Sequence, residues 1–332
     1  MGIKNLLKFI NSYDDIIKIK TGNNYYYEKI AIDVSIILYQ VTIAIRNSGA
    51  DLTNQKGEIT SHILGLFNKT INLLKRNIIP IYVFDGKPPE FKKEVLKARK
   101  LLKEKAYNKL TEIDNNELSE DMRIKYFKRT VTITKKQIEE CRELLELMGI
   151  PYVNAPEEAD SQCASLVKKG IAQSVLTEDM DILTFGSKKI YRNLTSKNKQ
   201  TLEIELDKIL EKTELTYEQF VEFCILLGCD YCDRIKDLEP LEIFNYYIKH
   251  KNIPDTINDI KNNNINVPDM SNYQEYKDYF INPPAIEVNK VKLQKPNITK
   301  LLDLLVNNYG LIKLKVLPKL IYLENNYNKN KN

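Results

Sequence analysis

The sequence predicts an α/β fold: a central, mostly parallel sheet flanked by helices, a basic helical arch inserted into it, and a helical region towards the C-terminal end. Three observations carry this. Short β-branched and aromatic runs alternate with stretches of helical period, once before residue 85 and again after residue 137. A segment dominated by lysine and arginine separates the two halves. Carboxylates recur at the ends of the apolar runs, where open α/β sheets carry their ligand groups.

Taken in order, residues 29–38 (KIAIDVSIIL) and 78–84 (IIPIYVF) read as buried strands. Between them, Ser61 to Arg76 places Ile63, Phe67, Ile71 and Leu74 at helical spacing. Strand, helix, strand implies a parallel pairing with a crossover. The pattern recurs with Ile138, Cys141, Leu144, Leu145 and Met148 on one helix face and Gly149 as its stop. IPYV, a helix over 157–169 ending at Gly170, and the strand SVLT follow. The separating segment carries nine Lys or Arg against three acids from Lys87 to Lys109, then an acidic patch from Glu112 to Asp121, then RIKYFKR. It predicts a mobile helical insertion joining two halves of one sheet. After Thr213 helices dominate, Tyr217–Leu227 and Leu241–Lys249 being the clearest. From residue 251 the chain is rich in Asn and Lys, and NNNINVPDM and the terminal NNYNKNKN read as loop or frayed tail. The expected divisions are 1–106, 107–136 (arch and linker), 137–235 and 236–332.

The 332 residues suffice for a full core in about two domains. Lys and Arg outnumber Asp and Glu by 50 to 45. If seven acids share one pocket, the remaining surface is clearly basic, as a nucleic-acid partner requires. Five Cys without an even framework or a secretory leader indicate a reducing compartment. Cys229 and Cys232 form a C-x-x-C, but no second pair completes a zinc site, and His62 and His250 stand far apart, so buried thiols are expected. No apolar run reaches the roughly 18 residues of a membrane span. Leu6 stands where myristoylation of Gly2 wants Ser or Thr, and Lys4 and Lys8 interrupt any signal peptide. The expectation is a soluble intracellular protein that is not secreted.

The acids are Asp33 after KIAI, Asp85 after IPIYVF, Glu158 and Asp160 in APEEADSQC, Asp179 and Asp181 in VLTEDMDIL, and Asp230 in LLGCDY. Carboxylates gathered beyond buried strands repel one another and lose solvation unless a cation sits among them. Mg²⁺ takes hard oxygen ligands and keeps several waters. Two such ions side by side clamp the attacking and leaving oxygens of a phosphodiester displacement. Singly, an Asp ending a strand is as readily a helix cap; the conjunction carries the inference.

In the stretches MGIKNL, AIDVS, YVFDGKPPEFK, LMGIPYVNAPEEAD, LTEDMDILTFGS and LLGCDYC the sequence resembles the flap endonuclease branch of the structure-specific 5′-nuclease (XPG-like) family. The resemblance covers about residues 1–235 and thins beyond. It implies that Asp33, Asp85, Glu158 and Asp160 form a first metal cluster and Asp179, Asp181 and Asp230 a second, with Asp160 shared. Two Mg²⁺ ions, replaceable by Mn²⁺, are the implied cofactors. The implied reaction leaves a 5′-phosphate and a 3′-hydroxyl. Lys92 and Arg99 match basic gateway residues that contact the scissile phosphate, where cations stabilise transition-state charge. Tyr39 matches an aromatic on which a base next to the cut stacks, an interaction worth about 1–3 kcal/mol. Gly2 matches the residue that becomes the N-terminus near the active site once Met1 is removed.

The departures from the family pattern are specific. Position 160 is Asp where the family commonly has Glu. After GCDYC the family has a Gly-x-Gly-Pro hairpin and basic residues, joining two helices that hold duplex DNA through backbone amides and a monovalent cation. Here Asp237, Leu238 and Glu239 precede Pro240, and the basic pair is absent. The tail has no readable sliding-clamp motif. The resemblance thus implies a Mg²⁺-dependent 5′ flap endonuclease and 5′–3′ exonuclease, a monomer acting on branched or flapped DNA in replication, repair or recombination. The nucleus or another site of DNA replication follows, cytoplasmic if viral, the Asn, Lys and Ile bias being that of AT-rich coding. A 5′–3′ exonuclease on DNA or RNA without flap preference shares the same acids. A non-catalytic scaffold is disfavoured, because a dead pocket has no reason to keep seven carboxylates.

Overall fold

Alternation along the central strands sets the architecture. Among the described residues the strands are β1 (Ile17–Lys20), β2 (Glu28–Asp33), β3 (Ile78–Phe84), β4 (Tyr152–Asn154), β5 (Ser174–Leu176), β6 (Lys189–Arg192) and β7 (Thr201–Glu205). They form one sheet in the order β1-β7-β6-β5-β2-β3-β4. The pairings from β6 through β4 are parallel; β7 pairs antiparallel with both β6 and β1. Ala31, Ile81, Val83 and Val175 point to one apolar layer, and Ile30, Ile32, Tyr82, Phe84 and Leu176 to the other. Both faces of the central strands are therefore buried, which is why these strands read as continuous apolar runs. The computed structural model describes residues 2–22, 25–46, 51–112, 120–196 and 198–330.

Helices cover both faces. Ala159–Lys168, Tyr217–Leu227 and Pro240–His250 bury their apolar residues in one layer. Ser61–Lys75, Lys135–Met148 and the C-terminal helix Lys313–Asn330 do so in the other. Thr134 and Gln137 close a reciprocal capping box at the start of Lys135–Met148, and Gly149 ends that helix at φ +68°. The arch consists of Lys93–Glu112 packed on Glu120–Arg129. Most of the acidic patch expected between them lies outside the described residues.

Two expectations are corrected. The run KIAIDVSIIL is a strand only as far as Asp33; Val34–Arg46 is a helix. The Asp33 carboxylate accepts the Ser35 N–H at 2.7 Å, capping the turn, and Val34, Ile37 and Leu38 then bury one helix face. The β-branched composition concealed a helical spacing. The terminal NNYNKNKN is no frayed tail over its described length: residues 325–330 continue the helix Lys313–Asn330, which is seated by the buried Val316, Leu320 and Leu323 and by Asn326. Lys319 Nζ also donates to Asn68 Oδ1 at 2.6 Å on the neighbouring helix. The connection over 263–272 is irregular, as NNNINVPDM predicts.

Candidate active site

Parallel strands and the turns that follow them deliver the acids to one place. Asp33 ends β2, Asp85 follows β3, and Asp179 and Asp181 follow β5. Glu158 is the N-cap of Ala159–Lys168 and Asp160 lies in that helix's first turn. Asp230 lies three residues after the end of Tyr217–Leu227. All seven line a single cavity of about 560 Å³, together with Lys92, Arg99 and Tyr39. Gly2 closes against the same cluster: at φ +73°, a Cβ there would lie 1.7 Å from Asp179 Oδ1. Only glycine permits that approach.

The carboxylates are held by specific donors. Ser35 bridges two of them, its N–H donating to Asp33 and its hydroxyl to Asp85 Oδ2 at 2.7 Å. The Ala159 N–H donates to Asp85 Oδ1 at 2.9 Å, fixing the helix start to the end of β3. Tyr231 donates its hydroxyl to Glu158 Oε2 at 2.6 Å. Lys92 pairs with Glu158 and lies 3.6 Å from Asp230, while Arg99 Nη2 donates to Asp230 Oδ2 at 2.6 Å.

Eight acids, Glu178 added to the seven, and two bases leave the pocket strongly negative. Burial, and then repulsion by Asp85, pushes the Asp33 carboxyl well above the usual carboxylate range. Burial with Asp33 and Asp179 does the same to Asp160, and burial with Asp179 and Asp160 to Asp181. Asp179 is raised by burial and by Asp230. Burial alone would depress the Lys92 ammonium, but Glu158 and Asp230 outweigh it and hold it above the ordinary value.

The donor set fits a hard divalent cation. Asp160 Oδ1 and Asp181 Oδ1 are buried with no hydrogen-bond partner. One oxygen each from Asp160, Asp179 and Asp181 falls within 4.8 Å of the others. Converging buried acceptors without donors are costly unless a cation satisfies them.

Sequence reasoning missed three participants. Ser35 carried a faint signal, two residues after Asp33. Tyr231 adjoins Asp230 in the same motif. Tyr279, whose hydroxyl lies 3.0 Å from Glu157 Oε2 and 3.4 Å from Glu158 Oε2, comes from a region that showed only Asn and Lys enrichment. Nothing local marked it.

A carboxylate pocket at the ends of parallel strands, met by a basic helix, defines the class as a phosphodiester-hydrolysing nuclease, and similarity to known proteins agrees. Residues 1–106 match the XPG N-terminal domain and residues 149–230 the XPG I-region. The chain belongs to the flap endonuclease family. It is 42% identical over 324 residues to Flap endonuclease 1 of Heterostelium pallidum, covering 95% of this chain and 83% of that protein. With Flap endonuclease 1 of Glycine max the identity is 41% over 318 residues, covering 93% and 83%. The solved flap endonuclease-1 from Methanococcus jannaschii superposes with a TM-score of 0.75 at 30% identity, covering 96% of this chain and 99% of that one. The catalytic core of Rad2 in complex with DNA substrate shares the fold, with a TM-score of 0.74 at 24% identity over 97% and 100% of the two chains.

Proposed function

We propose that this structure-specific 5′ flap endonuclease cuts branched DNA near the flap base with two Mg²⁺ ions, leaving a 5′-phosphate and a 3′-hydroxyl. One observation carries the reading: seven carboxylates, Lys92 and Arg99 line one cavity. When bound, divalent ions supply an activated water and clamp the attacking and leaving oxygens. Asp33, Asp85, Glu158 and Asp160 would hold one ion and Asp179, Asp181 and Asp230 the other, with Asp160 placed between the sets. Mn²⁺ would satisfy the same oxygens. Lys92 and Arg99 would turn their charge to the scissile phosphate once metal takes over the carboxylates they now pair with. Tyr39, 42% exposed at the cavity wall, offers a stacking face for a base. Gly2 would keep the chain start clear of Asp179.

The division into 1–106, 107–136, 137–235 and 236–332, with the last a divergent helix-hairpin-helix-like region holding duplex, belongs to the same proposal. So do monomeric action and a place at sites of DNA replication, repair and recombination such as the nucleus. Among the described residues, no helix is long and apolar enough to cross a membrane. The test is cleavage of end-labelled flap, nick, gap, bubble and single-stranded substrates in Mg²⁺, with product ends mapped. Flap cutting near the base should exceed single-strand cutting at least tenfold. Equal rates on all substrates would replace this reading with a 5′–3′ exonuclease lacking flap preference.

A further inference from the structure

The helix Tyr273–Ile281 reaches the active site from the part of the chain where the sequence shows no motif. Its Tyr279 hydroxyl lies 3.0 Å from Glu157 Oε2 and 3.4 Å from Glu158 Oε2. Tyr231 donates to the same Glu158 oxygen at 2.6 Å, while Lys92 pairs with Oε1. The two oxygens of Glu158 are thus held differently: Tyr231 donates to one, beside the Tyr279 hydroxyl that donates to the neighbouring Glu157, and Lys92 holds the other.

The rings beneath these hydroxyls form a packed unit. Phe91, beside Lys92 at the start of the arch, meets Tyr231 at 4.7 Å and Tyr279 at 4.8 Å between ring centroids, both edge-to-face. Tyr231 and Tyr279 meet each other at 5.8 Å, nearly perpendicular. Edge-to-face packing adds directional attraction to the buried area and so restrains the rotamers on which the hydroxyl positions depend. Two residues before Tyr279, Lys277 donates to the mostly buried Glu222 at 2.8 Å, and Glu222 also accepts the Tyr247 hydroxyl at 2.9 Å. One short helix therefore locks to Tyr217–Leu227 through Lys277 and to the cavity through Tyr279.

We infer that Tyr279 is a positioning residue: its hydroxyl donates to Glu157 and so holds the turn from which Glu158 presents its carboxylate to divalent metal, and its ring seats Phe91 so that Lys92 enters the cavity at a fixed place. The inference rests on the proposed metal role of Glu158. Groups that orient a metal ligand affect affinity by about 10–100-fold when removed. Tyr279 acts on Glu158 through the neighbouring Glu157, while Tyr231 holds Glu158 directly, so its hydroxyl alone should cost less than that range.

Tyr279→Phe removes the hydroxyl and keeps the ring; Tyr279→Leu removes both. Mn²⁺ binding to the full chain without DNA, followed by titration calorimetry, gives a readout independent of cleavage. Tyr279→Phe should weaken Mn²⁺ binding about 3–10-fold, raise the Mg²⁺ concentration for half-maximal cleavage similarly, and leave the KM for flap DNA unchanged. Tyr279→Leu should add a fall in kcat at saturating Mg²⁺ through the displaced Lys92. In a Glu158→Gln background, Tyr279→Phe should have no further effect on Mn²⁺ binding. Asp181→Ala serves as the reference for the metal site itself. A defective Asp181→Ala beside a Tyr279→Phe of unchanged Mn²⁺ affinity overturns the positioning role and leaves the metal site standing. Unchanged Mn²⁺ binding in both overturns the metal assignment and the positioning with it.

Discussion

Asp181 reaches the cluster with a buried oxygen that no protein donor satisfies, which supports its proposed role as a ligand to the cation. Asp181→Ala should bind flap DNA near normally and lose cleavage by more than about 10²-fold, since groups that merely orient a ligand already cost 10–100-fold. Parallel measurements of flap binding and single-turnover cleavage in Mg²⁺ check this, and substantial residual cleavage would remove Asp181 from the metal assignment. The basic residues divide by where their charge lands. Lys92 and Arg99 touch the carboxylates of the cavity, whereas Lys105 lies exposed further along the helix that carries Arg99. Lys92→Ala and Arg99→Ala should lower turnover at saturating DNA by about 10²-fold or more, with little loss of affinity. Lys105→Ala should instead weaken binding and reduce its salt slope by about one. Equal, purely affinity-level effects would make all three ordinary phosphate steering. The carboxylates were legible because each directly follows a recognisable apolar run or sits inside a long motif. Tyr279 was illegible because its partner Glu158 lies 121 positions away, and no local pattern encodes such a pairing.

At the scale of elements, the connection between Tyr217–Leu227 and Pro240–His250 lacks the glycine hairpin that the family resemblance implies. Its acids serve the chain itself. The Glu239 N–H donates to Glu242 at 2.8 Å at the start of the second helix, and the Glu239 carboxylate pairs with Lys8 at 2.5 Å. Both members of that pair are well exposed, so the pair contributes little stability. Where the family resemblance implies glycines whose amides approach a phosphate, Asp237 and the Lys8-paired Glu239 would instead present carboxylates to a negative backbone, and Leu238 packs against the core. Cleavage should therefore depend only weakly on downstream duplex length and respond alike to K⁺ and Na⁺, with a salt slope lower by about one per lost contact. Rates against duplex length in matched K⁺ and Na⁺ buffers decide it; a steep threshold with K⁺ stimulation would show that the grip survives without glycine. The elements themselves were readable where period and punctuation agreed, as in Lys135–Met148 with its Gly149 stop. They were obscured where composition spoke against period. Val34–Arg46 is β-branched yet helical because Asp33 caps it, and Lys313–Asn330 is rich in Lys and Asn yet seats Val316, Leu320 and Leu323 in the core. β1, β6 and β7 span only four or five residues each, too short for alternation to stand out.

For the whole molecule, the acidic cavity opposes folding unless a cation occupies it. Asp33, Asp160, Asp179 and Asp181 all have carboxyls raised above their ordinary values, with burial as the first cause and neighbouring carboxylates adding to it. A carboxyl whose folded pKa exceeds its unfolded pKa binds more protons when folded. The folded state is then favoured at low pH, and that advantage is lost as pH rises from the unfolded carboxylate value through the raised folded one. The penalty grows across that window, and every tenfold difference in proton affinity between the folded and unfolded chain corresponds to about 1.4 kcal/mol. In chelator, the melting temperature should therefore be higher near pH 5.5 than near pH 7.5. Mg²⁺ at pH 7.5 should raise it by RT ln(1 + [Mg²⁺]/Kd) expressed at about 2 °C per kcal/mol, and should flatten the pH difference. Asp181→Asn, which removes one buried charge while keeping the side chain's shape, should melt higher than the native chain in chelator at pH 7.5 and gain less from Mg²⁺, while losing cleavage. Calorimetric melting of both chains at the two pH values, with and without Mg²⁺, gives the comparison. A native chain that melts identically with and without Mg²⁺, and an Asp181→Asn chain no more stable than it in chelator, would mean that the cavity's carboxylates are already neutralised by Lys92 and Arg99 and impose no strain that metal relieves.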